Sequence, residues 1–168
     1  MKTLFMSFAA FLLVCNIASA QIIKVELQAA GLTCSMCSRA VDKQLRTLDF
    51  IDSVEIDLSR AMFVLYFKKD KALDFDKVRQ KVEDAGFSVA LFRIHYWFEN
   101  YSMKSNSILS YRNINFSFKD VVPRIIKDGH WSFRIIDKGF LSDKEYKKYK
   151  GQIGEEKSTP GKIIYHVL

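Results

Sequence analysis

The stretch KVELQAAGLTCSMCSRAVDKQL, residues 24–45, decides the fold, because the hydrophobic period changes within it. Val25 and Leu27 alternate with Lys24, Glu26 and Gln28, the two-residue period of a half-buried strand. Ile22 and Ile23 extend that β-rich run backwards, and Ala29-Ala30-Gly31 ends it. From Cys37 onwards apolar residues recur at Ala40, Val41, Leu45 and Leu48. That three- and four-residue spacing is the mark of an amphipathic helix, with Lys43, Gln44 and Arg46 on its wet side. Cys34 falls in the loop between strand and helix, and Cys37 opens the helix.

The next fifty residues repeat the alternation of periods. Val54, Ile56 and Leu58 alternate with Glu55 and Asp57, giving a second strand, and Ser59-Arg60 reads as a tight turn into a third strand, 61–67. Asp74 is placed to cap a helix whose apolar face is Phe75, Val78, Val82 and Ala85, and Gly86 ends it. Residues 87–94 give a fourth strand. The order strand, helix, strand, strand, helix, strand predicts an α+β, ferredoxin-like βαββαβ sandwich over residues 21–94. Such a sandwich is a four-stranded antiparallel sheet covered on one face by two helices.

Residues 1–20 read as a signal peptide: a charge at Lys2, an apolar run from Leu4 to Val14, and small residues at Ala18-Ser19-Ala20. The run is shorter than the roughly 20 apolar residues of a membrane-spanning helix. The expectation is therefore an exported chain, periplasmic or secreted, with no stable membrane insertion after cleavage, and Cys15 leaves with the signal. The 49% apolar and 14% aromatic content argues for a packed globule. Of 26 Lys and Arg, Lys2 also leaves, so 25 basic residues face 19 acidic ones. In an exported chain that excess is read as a solvated surface, and nucleic acid is not an expected partner.

Two cysteines are too few for a disulfide framework. Cys34 and Cys37 can hold a soft metal, cycle as a redox disulfide, or staple a turn. A helix N-terminus favours thiolate over thiol. Two thiolates on a small exposed loop suit a soft ion of low coordination number, Cu(I) before others. Zinc would want four ligands. Thioredoxin-like exchange enzymes usually set a cis-proline opposite their cysteines, and the only prolines are Pro123 and Pro160, late in the chain.

GLTCSMCSRAVDKQL, followed some 45 residues later by VEDAGFSVALF, resembles the heavy-metal-associated domain family of copper chaperones and copper-ATPase metal-binding domains. The resemblance covers residues 21–94 and implies the same ferredoxin-like fold. It implies that Cys34 and Cys37 are the metal ligands, with Cu(I) foremost and Zn, Cd or Hg as other thiophilic ions. Phe87 matches an aromatic residue near the metal loop. Leu32 stands where the family usually has methionine, a swap of similar volume. Gly31 and Thr33 fit the shaping of the loop. Met36 lies at a variable position and is not assigned as a ligand. The function this implies is metal binding and transfer by thiolate exchange with a metal-transporting or metal-accepting protein, not an enzyme's. The alternatives are a thiol-disulfide redox protein, and an interaction module in which metal is incidental.

Residues 95–168 match no pattern of this kind and are expected to form a small β-rich region, either its own domain or strands that build onto the first. Residues 95–98 continue or closely follow the fourth strand, and 100–107 read as a connection. Ile114, Phe116 and Phe118 alternate with polar residues, as do Trp131, Phe133 and Ile135, and 163–167 reads as a last strand. Ser142 and Glu145 look like a capping box for a short helix to Lys150, whose lysines form a solvated face. His95, His130 and His166 share no ligand spacing and are read as surface or packed residues. Asn100 and Asn115 match glycosylation acceptors formally.

Overall fold

The computed structural model describes residues 21–32, 34–153 and 162–168. The expected signal peptide, Thr33 and the polar stretch 154–161 lie outside the described residues. In the first half β1 (Gln21–Ala30), α1 (Ser35–Leu45), β2 (Ile51–Asp57), β3 (Met62–Phe67), α2 (Phe75–Asp84) and β4 (Ser88–Phe98) follow in the expected order. The second half adds β5 (Tyr101–Met103), β6 (Ile108–Tyr111), β7 (Ile114–Phe118), β8 (Arg124–Ile126), β9 (Gly129–Arg134), α3 (Asp143–Tyr149) and β10 (Ile163–Val167).

The main sheet has five strands rather than four, in the order β2-β3-β1-β4-β9, all antiparallel. The extra strand is β9, which pairs along β4 from Arg93↔Arg134 to Phe98↔Gly129. That ladder exists because β4 runs on past Ile94 through His95 to Phe98. Val25 and Leu27 of β1, Phe63 and Leu65 of β3, and Phe92, Ile94 and Tyr96 of β4 are all buried, as the alternation requires. A second sheet, β10-β7-β6, pairs β10 parallel to β7, and β5 pairs with β8. The strands β5, β6 and β8 are not expected from sequence, since three or four residues carry too little alternation to register.

Helix α1 differs from its expected span. It ends at Leu45, and it buries Ser38, Val41 and Leu45 while Ala40 is exposed. Leu48 is buried from the turn that follows. Helix α2 buries Phe75, Val78 and Val82 and is capped by Asp74, whose carboxylate accepts the Lys77 N–H at 3.1 Å. Its far end closes at Gly86, φ +87°, with Gly86 N–H on Glu83 O at 2.8 Å and Phe87 N–H on Val82 O at 3.1 Å. These two bonds satisfy carbonyls the helix leaves open, in a geometry glycine enters without strain.

One hydrophobic core runs through both halves. Phe75 of α2 meets Phe92 of β4 at 5.0 Å and Tyr165 of β10 at 5.3 Å, while Phe133 of β9 meets Phe116 and Phe118 of β7, each at 5.2 Å. Polar bonds lock the same seam. The Tyr165 hydroxyl accepts the N–H groups of Phe75 (2.9 Å) and Asp76 (3.1 Å), two donors of the first turn of α2 that have no partner within the helix. Asn113 brackets Leu73, accepting its N–H and donating to its carbonyl, both at 2.8 Å.

Candidate metal centre

Gly31 ends β1 at φ +80°, a conformation in which a side chain is strained, and turns the chain towards Cys34. Cys34 is extended (φ −142°, ψ 155°) and is itself the N-cap of α1. Its Sγ accepts the Cys37 N–H at 3.2 Å and its carbonyl accepts the Ser38 N–H at 3.2 Å. A sulfur thus stands where a Ser or Asp oxygen usually caps, so the helix begins at Ser35, two residues earlier than its apolar spacing indicates. Cys37 falls in its first turn.

Cys34 and Cys37 are joined by a disulfide, with their Cα atoms 5.3 Å apart. That separation lies within the range a bridge spans without moving the backbone. Cys34 is exposed and Cys37 partly so. Met36 between them is 71% exposed. The first turn of α1 holds no acidic residue, so nothing there offsets the positive end of the helix dipole beside the sulfurs.

A depression of about 150 Å³ opens beside Cys34, lined by Leu32, Cys34, Ser35, Ser38, Leu58 and Ala61. Leu58 and Ala61, expected at the ends of the second and third strands, belong instead to the β2–β3 turn, because β2 stops at Asp57 and β3 starts at Met62. The pairing Gln28↔Met62 sets the start of β3 beside the end of β1, which brings that turn to the cysteines. The turn is held firmly. Asp57 Oδ1 accepts the Ser59 hydroxyl at 2.6 Å and N–H at 3.0 Å, and Oδ2 takes the Arg60 Nε at 2.6 Å. The hydrogen bonds from Ser59, then Arg60, hold the Asp57 carboxyl down at about 2. Gln28 Nε2 donates to Arg60 O at 3.1 Å, tying the turn to β1.

Leu32 and Phe87 are half-buried against the core. The pair Ala30↔Ser88 sets Phe87 at the same end of the sheet as the cysteine turn. A second depression, about 320 Å³, borders Ala30, Ser88, Gly139 and Ser142, so residues 139–143 of the second half also reach this end.

The histidines depart from expectation. His95 Nδ1 and His130 Nε2 lie 2.8 Å apart, although 35 residues separate them in sequence. The β4–β9 register makes them diagonal neighbours, and no spacing rule within one element could show it. His166 is buried, with Nδ1 2.7 Å from Asp137 Oδ1. The Ser142 cap holds, accepting the Glu145 N–H at 3.4 Å, while the Glu145 carboxylate lies 3.4 Å from Arg134. Among the described residues no three His, Cys, Asp or Glu side chains are placed to hold one metal ion. No helix among them is long and apolar enough to cross a membrane.

Residues 26–88 match the family model of the heavy-metal-associated domain. A probable copper-transporting ATPase of Arabidopsis thaliana is 35% identical over 66 residues, 38% of this chain and 6% of that protein. A probable copper-exporting P-type ATPase of Archaeoglobus fulgidus is 25% identical over 63 residues, 38% of this chain and 8% of that protein. The chain thus matches less than a tenth of the length of either ATPase. Among solved structures, the CopZ metallochaperone aligns at 22% identity and a TM-score of 0.37, over 40% of this chain and 98% of its own. Oxidized MerP from Ralstonia metallidurans CH34 aligns at 27% identity and a TM-score of 0.36, over 42% of this chain and 97% of its own.

Proposed function

We propose that this is an exported metal-binding protein, not an enzyme, in which Cys34 and Cys37 hold one Cu(I) and pass it on by thiolate exchange. The observation that carries the reading is the placement of both sulfurs on one exposed turn at the N-terminus of α1, within a match to the heavy-metal-associated domain. Similarity to copper-transporting ATPases supports copper as the ion.

The disulfide sets the condition for loading. Each bridge must take two electrons and two protons from a thiol reductant to give two thiols. Binding of Cu(I) then displaces both thiol protons, and soft thiolates at low coordination number suit the ion. An incoming partner thiolate attacks the exposed ion, giving a three-coordinate intermediate from which Cys34 or Cys37 leaves. The acceptor is a metal-transporting or metal-accepting protein, and export through residues 1–20 would place the exchange in the periplasm or outside the cell. Zn, Cd and Hg are thiophilic enough to compete. The second half braces the domain through the Tyr165 and Asn113 contacts.

Titration of the reduced protein with Cu(I) against a competing chelator tests this. The tightest-bound ion should be lost in Cys34→Ser and in Cys37→Ser, and unchanged binding in both variants overturns the reading. The disulfide itself favours one other reading, thiol-disulfide exchange, which predicts turnover in an insulin-reduction assay.

A further inference from the structure

On the outer face of the main sheet, away from the cysteine turn, His95, His130 and Glu26 form a cluster with an unusual geometry. The imidazole planes of His95 and His130 are parallel to within 4° and their centroids are 5.0 Å apart. With Nδ1 of one 2.8 Å from Nε2 of the other, that centroid separation places both nitrogens on one line, so the rings meet end to end rather than face to face. On the other side of His95, Nε2 lies 3.1 Å from Glu26 Oε2. His95 is 8% exposed, whereas His130 is exposed.

We propose that His95 and His130 form a second metal site, holding a monovalent soft ion, Cu(I) or Ag(I), in line between His95 Nδ1 and His130 Nε2, with Glu26 as the positioning residue. His95 Nε2 is buried, and the carboxylate beside it is Glu26 Oε2, 3.1 Å away. That neighbour favours the His95 proton on Nε2 and leaves Nδ1 as the lone pair, the arrangement by which outer carboxylates orient ligating histidines. In the metal-free protein His130 Nε2–H donates to that lone pair. On binding, the proton moves through water to His130 Nδ1, and the freed lone pair turns to the ion with no net change in protonation.

The fit in size requires little. At about 2.0 Å per metal–imidazole bond, two nitrogens in line stand about 4 Å apart, so the rings part by about 1.2 Å. His130 is the exposed partner and can supply that movement by side-chain rotation. Charge selects the ion. Lys24 Nζ stands 3.2 Å from Glu26 Oε1 and Arg93 3.5 Å from Oε2, so two cations surround one carboxylate. A divalent ion meets twice the repulsion a monovalent one does. Zinc would also lack ligands, since the cluster offers two nitrogens.

This site stands independently of the cysteines, and the test is made without them. The Cys15→Ser/Cys34→Ser/Cys37→Ser protein, which has no cysteine, is titrated with Ag(I), a redox-silent linear-coordinating probe, and the histidine side-chain nitrogens are followed by NMR. The expected result is one Ag(I) per chain with shifts at His95 Nδ1 and His130 Nε2. Binding should be abolished by His130→Ala and weakened about 10- to 100-fold by Glu26→Gln. No Ag(I) binding by the cysteine-free protein overturns the proposal. So does binding that His130→Ala leaves unchanged, and a normal thermal transition of His130→Ala excludes misfolding as the cause of any loss. If instead wild type and the cysteine-free protein bind Cu(I) equally and His130→Ala removes that ion, the cysteine reading fails and this one stands.

Discussion

The cysteine turn and the seam at the head of α2 are built on opposite plans. The chemistry at the turn rests on Cys34 and Cys37, three positions apart, the first exposed and the second half-exposed. At the seam, Leu73 and Phe75 meet Asn113 and Tyr165, 40 and 90 residues further along, in the interior. One region carries reactivity and the other carries the fold. The molecule therefore tolerates chemical change where it works and resists it where it is held together.

That contrast can be broken from either side. The largest expected effect on stability is Phe133→Ala, which removes a ring packed against Phe116, Phe118, Tyr96 and Phe98. Chemical denaturation of the reduced protein should show a loss of about 3–5 kcal/mol. Cu(I) affinity at the cysteines should stay at the wild-type value. A shift in that affinity would show that the second half reaches the site energetically. Tyr165→Phe comes next. It keeps the ring but strips the acceptor from the N–H groups of Phe75 and Asp76, at a cost of about 1–3 kcal/mol. A change within error in the same denaturation experiment would mean that water replaces the hydroxyl and the seam is less closed than it looks. The smallest effect belongs to Cys34→Ser in reducing buffer. A serine hydroxyl caps a helix at least as well as a sulfur, so stability should move by less than about 0.5 kcal/mol while the tightest Cu(I) is lost. A substantial destabilisation would make the cysteine a structural residue and remove the contrast.

The same division explains what could be read from the sequence. The βαββαβ half was legible because its signals are local: alternation in 24–28 and 54–57, the Asp74 cap, and the Gly86 stop, each acting within one turn or one pleat. The cysteines were visible as a pair because three positions separate them. What stayed hidden depended on distant partners. The alternation at Trp131, Phe133 and Ile135 announces a strand that could build onto the first sheet, yet nothing in it names β4 as its partner or sets the register. Because that register was not predictable, neither was the meeting of His95 with His130. The start of α1 was misplaced for a different reason, since a capping sulfur has no strong residue preference to announce it.

The hydroxyl of Tyr165 has a consequence for the order in which the fold is completed. A chain is synthesised from its N-terminus, so Phe75 and Asp76 are made about ninety residues before the group that satisfies their N–H donors. Until residue 165 exists, the head of α2 must turn those donors to water, and the ring of Phe75 has Phe67 and Phe92 beside it but lacks Tyr165. The first half can lay out its strands and helices early. Its interior closes only when the late strand β10 arrives, so final folding is an event of the whole chain and not of the domain that carries the cysteines.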